Sequence, residues 1–152
     1  AAKSQAWVAE YGGRAAATPR EAAAGAEFVF ACVGNDDDLR SVVLGADGAL
    51  AGMAEGAIFV DHTTASAEVA RELHGAARNL GLHFVDAPVS GGQAGAVNGL
   101  LTVMCGGDPA AFAKIQPVAM AFSKSWRPMS SGESRVAMIP DPMTATISRP
   151  VK

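Results

Sequence analysis

Apolar positions along this chain fall into two patterns. Glu27 to Val33 (EFVFACV), Ala57 to Asp61 (AIFVD) and His83 to Val89 (HFVDAPV) are short apolar runs without polar alternation. Strands of a parallel sheet covered on both faces read this way. Between the second and third runs, Val69, Leu73, Ala76, Ala77 and Leu80 recur at helical spacing from Ser66 onward, and Gly81 closes the segment. Leu39 to Gly45 predicts another helix, with Asp36, Asp37 and Asp38 in the preceding turn. Ahead of the first strand, Ala2 to Tyr11 reads as a helix stopped by Gly12-Gly13, with Trp7, Val8 and Tyr11 toward one face. Arg14 to Ala17 reads as a brief strand. Thr18, Pro19 and Glu21 form a capping box that opens a helix over Pro19 to Ala24. Leu101 to Cys105 is one more expected strand, and Asp108-Pro109 starts a helix to about Phe122.

Strands alternating with helices through tight turns imply right-handed crossovers and a parallel sheet. The expected fold class is α/β, doubly wound, over residues 1–122. From 123 to 152 the character changes, with four prolines, many Ser and Arg residues and no sustained period. That segment is expected to be a poorly ordered tail.

Composition narrows the class. The 152 residues are 49% apolar and 18% charged, with a formal net charge of −3. With no Lys/Arg cluster, a nucleic-acid or anionic-membrane partner is not expected. No apolar run approaches the ~20 residues of a membrane span. Cys32 and Cys105 each sit in an apolar run and are expected to be reduced, buried thiols, which points to the cytoplasm. The chain opens without a methionine or a helix cap, which suggests a start partway through a longer gene product.

In an open parallel sheet, ligands collect at the carboxyl ends of the strands. Here those ends are Val33-Gly34-Asn35, Asp61-His62-Thr63-Thr64 and Pro88-Val89-Ser90-Gly91-Gly92. The acids at 36–38 suit a cation or a ribose, and equally a helix start. Thr63 and Thr64 could cap a helix or meet a phosphate. His62, beside a strand end, could be an acid/base group, whereas His74 and His83 have no obvious carboxylate pairing; all three are expected to be packed or solvated. Ser90 sits where a nucleophile elbow would place a serine, but Pro88 replaces the first glycine of Gly-x-Ser-x-Gly. Ser90-Gly91-Gly92 reads better as an anion cradle, because backbone without β-carbons can bring N–H groups up to a carboxylate.

Asp86-Ala-Pro-Val-Ser-Gly-Gly92, followed by Gly95-Ala96, Gly99 and Leu101, resembles the substrate-binding signature of the β-hydroxyacid dehydrogenases. That family includes 3-hydroxyisobutyrate dehydrogenase and tartronate semialdehyde reductase and, more distantly, 6-phosphogluconate dehydrogenase. Ile58-Phe-Val-Asp-His-Thr-Thr-Ala-Ser66 and Leu101 to Phe112 resemble the flanking family segments, so the likeness runs from about residue 1 to about 122. It implies a Rossmann-like sheet lacking its first βα unit, NAD or NADP as cofactor, and a small carboxylic acid as substrate. The implied reaction is hydride transfer between the β-carbon of a 3-hydroxy acid and nicotinamide C4. Ser90, Gly91 and Gly92 would hold the substrate carboxylate. Thr64 would contact the cofactor, Val33-Gly34 stand where a Leu-Pro pair lines the nicotinamide side, and Asp38 falls where an asparagine is common.

Two family features have no counterpart in the 152 residues: the Gly-x-Gly-x-x-Gly loop and, past Phe122, the catalytic lysine with its following asparagine. No catalytic residue is therefore assigned, and the chain alone is expected to have little dehydrogenase activity. A homo-oligomer of the full-length parent is the other expected association. The rival reading is a non-catalytic nucleotide-binding or oligomerisation module. The acid or arginine that separates NAD from NADP would lie ahead of Ala1.

Overall fold

A computed structural model describes residues 2–119, 134–140 and 147–151. Helix α1 (Ala2–Tyr11) and strand β1 (Arg14–Ala15) lead into helix α2 (Pro19–Ala23). Thr18 caps α2 by accepting the Glu21 N–H at 3.1 Å. The Glu21 carboxylate returns to the Ala17 N–H at 3.0 Å, one residue before the partner a standard capping box uses.

The centre is strand β2 (Phe28–Cys32), helix α3 (Asp36–Val43), strand β3 (Ile58–Asp61), helix α4 (Ala67–Asn79) and strand β4 (His83–Asp86). A short 3₁₀ turn, Ala49–Gly52, lies between α3 and β3. β2, β3 and β4 are parallel and in register, with Val29, Phe59 and Phe84 abreast and Ala31, Asp61 and Asp86 two residues further on. One face of this sheet packs Val29, Ala31, Phe59 and Phe84 against Leu39, Val42 and Val43 of α3 and Val69, Leu73 and Ala77 of α4. On the other, Phe30, Ile58, Val60 and Val85 pack against Ala111 and Ile115 of helix α6 (Pro109–Ala119). Helices on both faces explain why the strands lack polar alternation, and the expected doubly wound α/β class is what the chain adopts.

Beyond β4 the expected elements are rearranged. Val89–Ser90 forms strand β5, separated from β4 by Ala87-Pro88, and pairs antiparallel with β6 (Thr102–Val103) in a second, two-stranded sheet. Pro88 has no N–H to donate to a ladder, so the third apolar run breaks there instead of continuing as one strand. The expected Leu101 to Cys105 strand is shortened to Thr102–Val103, and Gly106–Gly107 (β7) returns antiparallel to β4. Between β5 and β6 the glycine-rich stretch forms helix α5 (Gly92–Asn98), closed by Gly99 at φ +65°.

Two stretches of the expected irregular tail are strands. Ser134–Pro140 (β8) pairs parallel with β2, from Phe28 opposite Val136 to Cys32 opposite Pro140, and Ile147–Val151 (β9) pairs antiparallel with β8. β1 completes that edge against β9, giving the order β1-β9-β8-β2-β3-β4-β7. Pairing with a distant open edge fixes these strands, which a local periodicity does not register. The remaining tail positions lie outside the described residues. The two free cysteines are exposed where burial was expected, because β2 ends at Cys32 and Cys105 lies in the loop between β6 and β7.

Candidate functional site

From β2 to β4 the chain moves outward in one direction, with α3 and α4 on one face. It returns past α6, on the opposite face, to place β8 on the other side of β2. The strand order therefore reverses between β2 and β8. In open α/β sheets the ligand crevice lies outside the carboxyl ends of the strands at such a reversal. The residue just past β2 there is Val33.

The ends of β2, β3 and β4 are tied together one residue beyond their ladders. His62 N–H donates to Ala31 O at 2.7 Å, and Ala87 N–H donates to Asp61 O at 2.7 Å. Val33 N–H donates to Thr63 Oγ1 at 3.1 Å, which joins the first two turns directly. Thr63 is buried, whereas Thr64 beside it is exposed. Neither threonine caps α4; Ser66 does, accepting from Val69 N–H at 3.2 Å. Ser66 also donates to Asp36 through both its N–H and its hydroxyl, and these bonds hold the Asp36 carboxyl below its ordinary range. The α3 cap is Asn35, whose Oδ1 accepts the Asp38 N–H at 3.0 Å and whose Nδ2 donates to Asp38 Oδ2 at 2.9 Å. A Cβ on Gly34 would stand 2.8 Å from that same Asp38 oxygen. The structure thus brings Val33, Gly34 and Asp38 together with the Thr63-Thr64 turn at one corner of the sheet.

Ser90 ends β5 in the second sheet, Gly91 and Gly92 open α5, and all three are exposed. Met104 N–H donates to Pro88 O at 3.0 Å and fastens this unit at its root. Gly91 has φ +133° and Gly92 φ +58°, conformations that L side chains rarely adopt. A Cβ on Gly91 would sit 3.2 Å from Leu101 Cδ2, while one on Gly92 would meet nothing within 4 Å. No side chain caps the start of α5.

Two residues at this corner carry more than their sequence suggested. Asp61 is fully buried; its Oδ1 accepts the Thr63 N–H at 2.8 Å, and its Oδ2 has no hydrogen-bond partner among the described residues. Burial, with smaller additions from Asp86 and Asp36, pushes its carboxyl up to about 6. His62 is buried against Phe30, the rings stacked at 5.6 Å, and its Nδ1 lies 2.6 Å from Ala87 O. A carbonyl only accepts, so Nδ1 carries the proton. Burial lowers the tendency of this imidazole to charge. The Asp-x-Thr-Thr ending of the strand was the available signal for Asp61, since an acid closing an otherwise apolar run need not be solvated.

Clefts of about 410, 450 and 360 Å³ lie elsewhere, lined respectively by residues that include Lys114, His74 and Cys105; none includes a predicted site residue. Among the described residues, no group of three or more His, Cys, Asp or Glu could hold a metal ion, and no helix is long and apolar enough to cross a membrane.

Known proteins are similar to this chain in sequence and in fold. An uncharacterized oxidoreductase from Shewanella frigidimarina is 60% identical over 123 residues, covering 81% of this chain and 42% of its own length. A probable mitochondrial 3-hydroxyisobutyrate dehydrogenase-like protein of Arabidopsis thaliana is 45% identical over 107 residues, covering 70% and 36%. The crystal structure of a 3-hydroxyisobutyrate dehydrogenase from Salmonella typhimurium superposes with a TM-score of 0.71 at 33% identity, covering 91% of this chain and 44% of that one. The chain thus spans about two fifths of the length of the relatives it matches. Residues 1–135 match the NAD binding domain of 6-phosphogluconate dehydrogenase, and the chain belongs to that family.

Proposed function

We propose that the chain is part of an oxidoreductase that transfers a hydride between NAD or NADP and a small 3-hydroxy acid such as 3-hydroxyisobutyrate. One observation carries the reading: the Val33 and Thr63 turns are tied together at the end of β2 beside the reversal of strand order, and the Ser90-Gly91-Gly92 turn follows β4, the strand next to β3. Family membership and the relatives' printed descriptions support it.

The residues fit both ligands. Val33, Gly34, Asp38 and Thr64 would face the nicotinamide nucleotide. Gly34 leaves room for the Asp38 carboxylate, whose Oδ2 lies 2.8 Å from where a Cβ would stand and accepts from Asn35 Nδ2. When bound, the nicotinamide supplies the hydride or takes it up. Ser90 would donate its hydroxyl, and the Gly91 and Gly92 backbone its N–H groups, to the acid's carboxylate. Gly92 opens toward free space, which leaves room for that group.

No residue among the 152 is assigned as general acid or base. His62 commits its Nδ1 proton to Ala87 and packs on Phe30, so it ties strand ends. General acid–base catalysis contributes typically about 10²–10⁴-fold, so the chain assayed alone should turn over 3-hydroxyisobutyrate at a small fraction of a normal rate. A cytoplasmic setting is part of the same reading, supported by two free cysteines. Calorimetric titration with NADH, NADPH and 3-hydroxyisobutyrate, beside a turnover assay, tests the proposal. Acid binding with little turnover is expected. Nucleotide binding without acid binding would favour a nucleotide-binding module, and turnover at a normal rate would overturn the assignment of no acid–base residue.

A further inference from the structure

We infer that Asp61 is a positioning residue for the cofactor side of the site: its carboxyl group holds the turn after β3 and, through Thr63, the turn after β2. The inference rests on the cofactor reading proposed above. Asp61 closes β3 in the middle of the sheet, between Ala31 of β2 and Asp86 of β4, and is fully buried. Its Oδ1 accepts the Thr63 N–H at 2.8 Å, and Thr63 Oγ1 accepts the Val33 N–H at 3.1 Å. Asp61, Thr63 and Val33 therefore form one chain of hydrogen bonds that spans the two turns proposed to face the nucleotide. Removing the carboxyl frees the Thr63 amide, and the Thr63 hydroxyl then loses the backbone geometry that aims it at Val33.

Packing alone does not explain an acid at this position. Its second oxygen is buried without a hydrogen-bond partner among the described residues, an arrangement a smaller neutral side chain would avoid. Its titratable neighbours are Asp86 from β4, Asp36 from α3, Cys32 from β2 and His62 next along its own strand. The two carboxylates disfavour its ionisation, as burial does. The bond to Thr63 is charge-assisted only once the proton leaves, so the tether tightens as pH rises through about 6.

Amide ¹H–¹⁵N spectra of the full chain across pH 5 to 8 test this. The Thr63 and Val33 amides should follow one titration with a midpoint near 6, and that titration should vanish in Asp61→Asn. In parallel, NADH and NADPH titrations at neutral pH should show Asp61→Asn, which keeps an acceptor oxygen, within about threefold of the natural chain. Asp61→Ala should bind about tenfold or more weakly, the equivalent of one lost hydrogen bond. If Asp61→Ala does not fold, Thr63→Val tests the second link, and its Val33 amide should lose the titration while Thr63's analogue keeps it. Thr63 and Val33 amides that do not move, or that titrate equally in Asp61→Asn, overturn the inference whether or not a nucleotide binds. Amides that titrate as expected while neither nucleotide binds support the tether and overturn the cofactor reading beneath it.

Discussion

Replacing Asp61 by asparagine should remove a pH-dependent loss of fold stability. In the folded chain the carboxyl holds its proton up to about pH 6, against an ordinary value of 3.8. Because the folded value lies above the unfolded one, the group's contribution is fully favourable below about pH 3.8 and is lost as pH rises through about 6. At about 1.4 kcal/mol per pH unit, the gap amounts to about 3 kcal/mol by pH 8. Asparagine keeps an oxygen for the Thr63 N–H and never ionises. Its amide N–H groups replace an oxygen that has no hydrogen-bond partner among the described residues, which adds a penalty of about 1–3 kcal/mol that does not vary with pH. The decisive quantity is the pH-dependent part of the difference. Urea unfolding followed by circular dichroism at half-unit steps from pH 4 to pH 8 should show Asp61→Asn gaining about 2.4 kcal/mol on the natural chain across that range. A difference that stays flat within about 0.5 kcal/mol, or that falls with pH, would refute the claim that burial holds this carboxyl protonated.

Three other substitutions separate the parts of the structure. Gly91→Ala forces an L side chain into φ +133° with its Cβ 3.2 Å from Leu101 Cδ2; strain of about 1–3 kcal/mol is expected. Gly92→Ala, in open space at φ +58°, should cost about 1–2 kcal/mol, and denaturation of the two variants side by side checks the order. Ser66→Ala removes the α4 cap and the hydroxyl that Asp36 accepts; a loss of about 0.5–2 kcal/mol is expected in urea unfolding. Leu73→Ala empties a fully buried site between α4 and the sheet, and a calorimetric stability loss of about 2–5 kcal/mol is expected.

The sequence carried the central architecture because local chemistry decides it. Phe28 to Cys32, Ile58 to Asp61 and His83 to Asp86 are strands where apolar runs predicted them, and the Thr18-Pro19 signal marks the start of α2. Helix α5 was not legible, because Gly92, Gly95 and Gly99 in so short a span favour a turn on propensity, and the helix depends on Gly95 packing beneath Leu101. β8 was not legible for a different reason: its strand conformation depends on the edge of β2, more than a hundred residues away in sequence. At the site, the turns at Val33, Thr64 and Ser90 could be placed from the strand-end rule, and the structure keeps those of Val33 and Thr64 in one hydrogen-bonded corner. The role of Asp61 was hidden, because an acid at a strand end looks solvated until its neighbours in the next strands are known. The exposure of Cys32 was hidden by the same ignorance of where β2 stops in space.

The account centres on Ser90-Gly91-Gly92 as a carboxylate-binding turn. The most direct test is an amide ¹H–¹⁵N titration of the chain with 3-hydroxyisobutyrate. Saturable shifts at Ser90, Gly91 and Gly92, lost in Gly91→Ala, are predicted. Shifts absent from these three amides, or unchanged by Gly91→Ala, would contradict it.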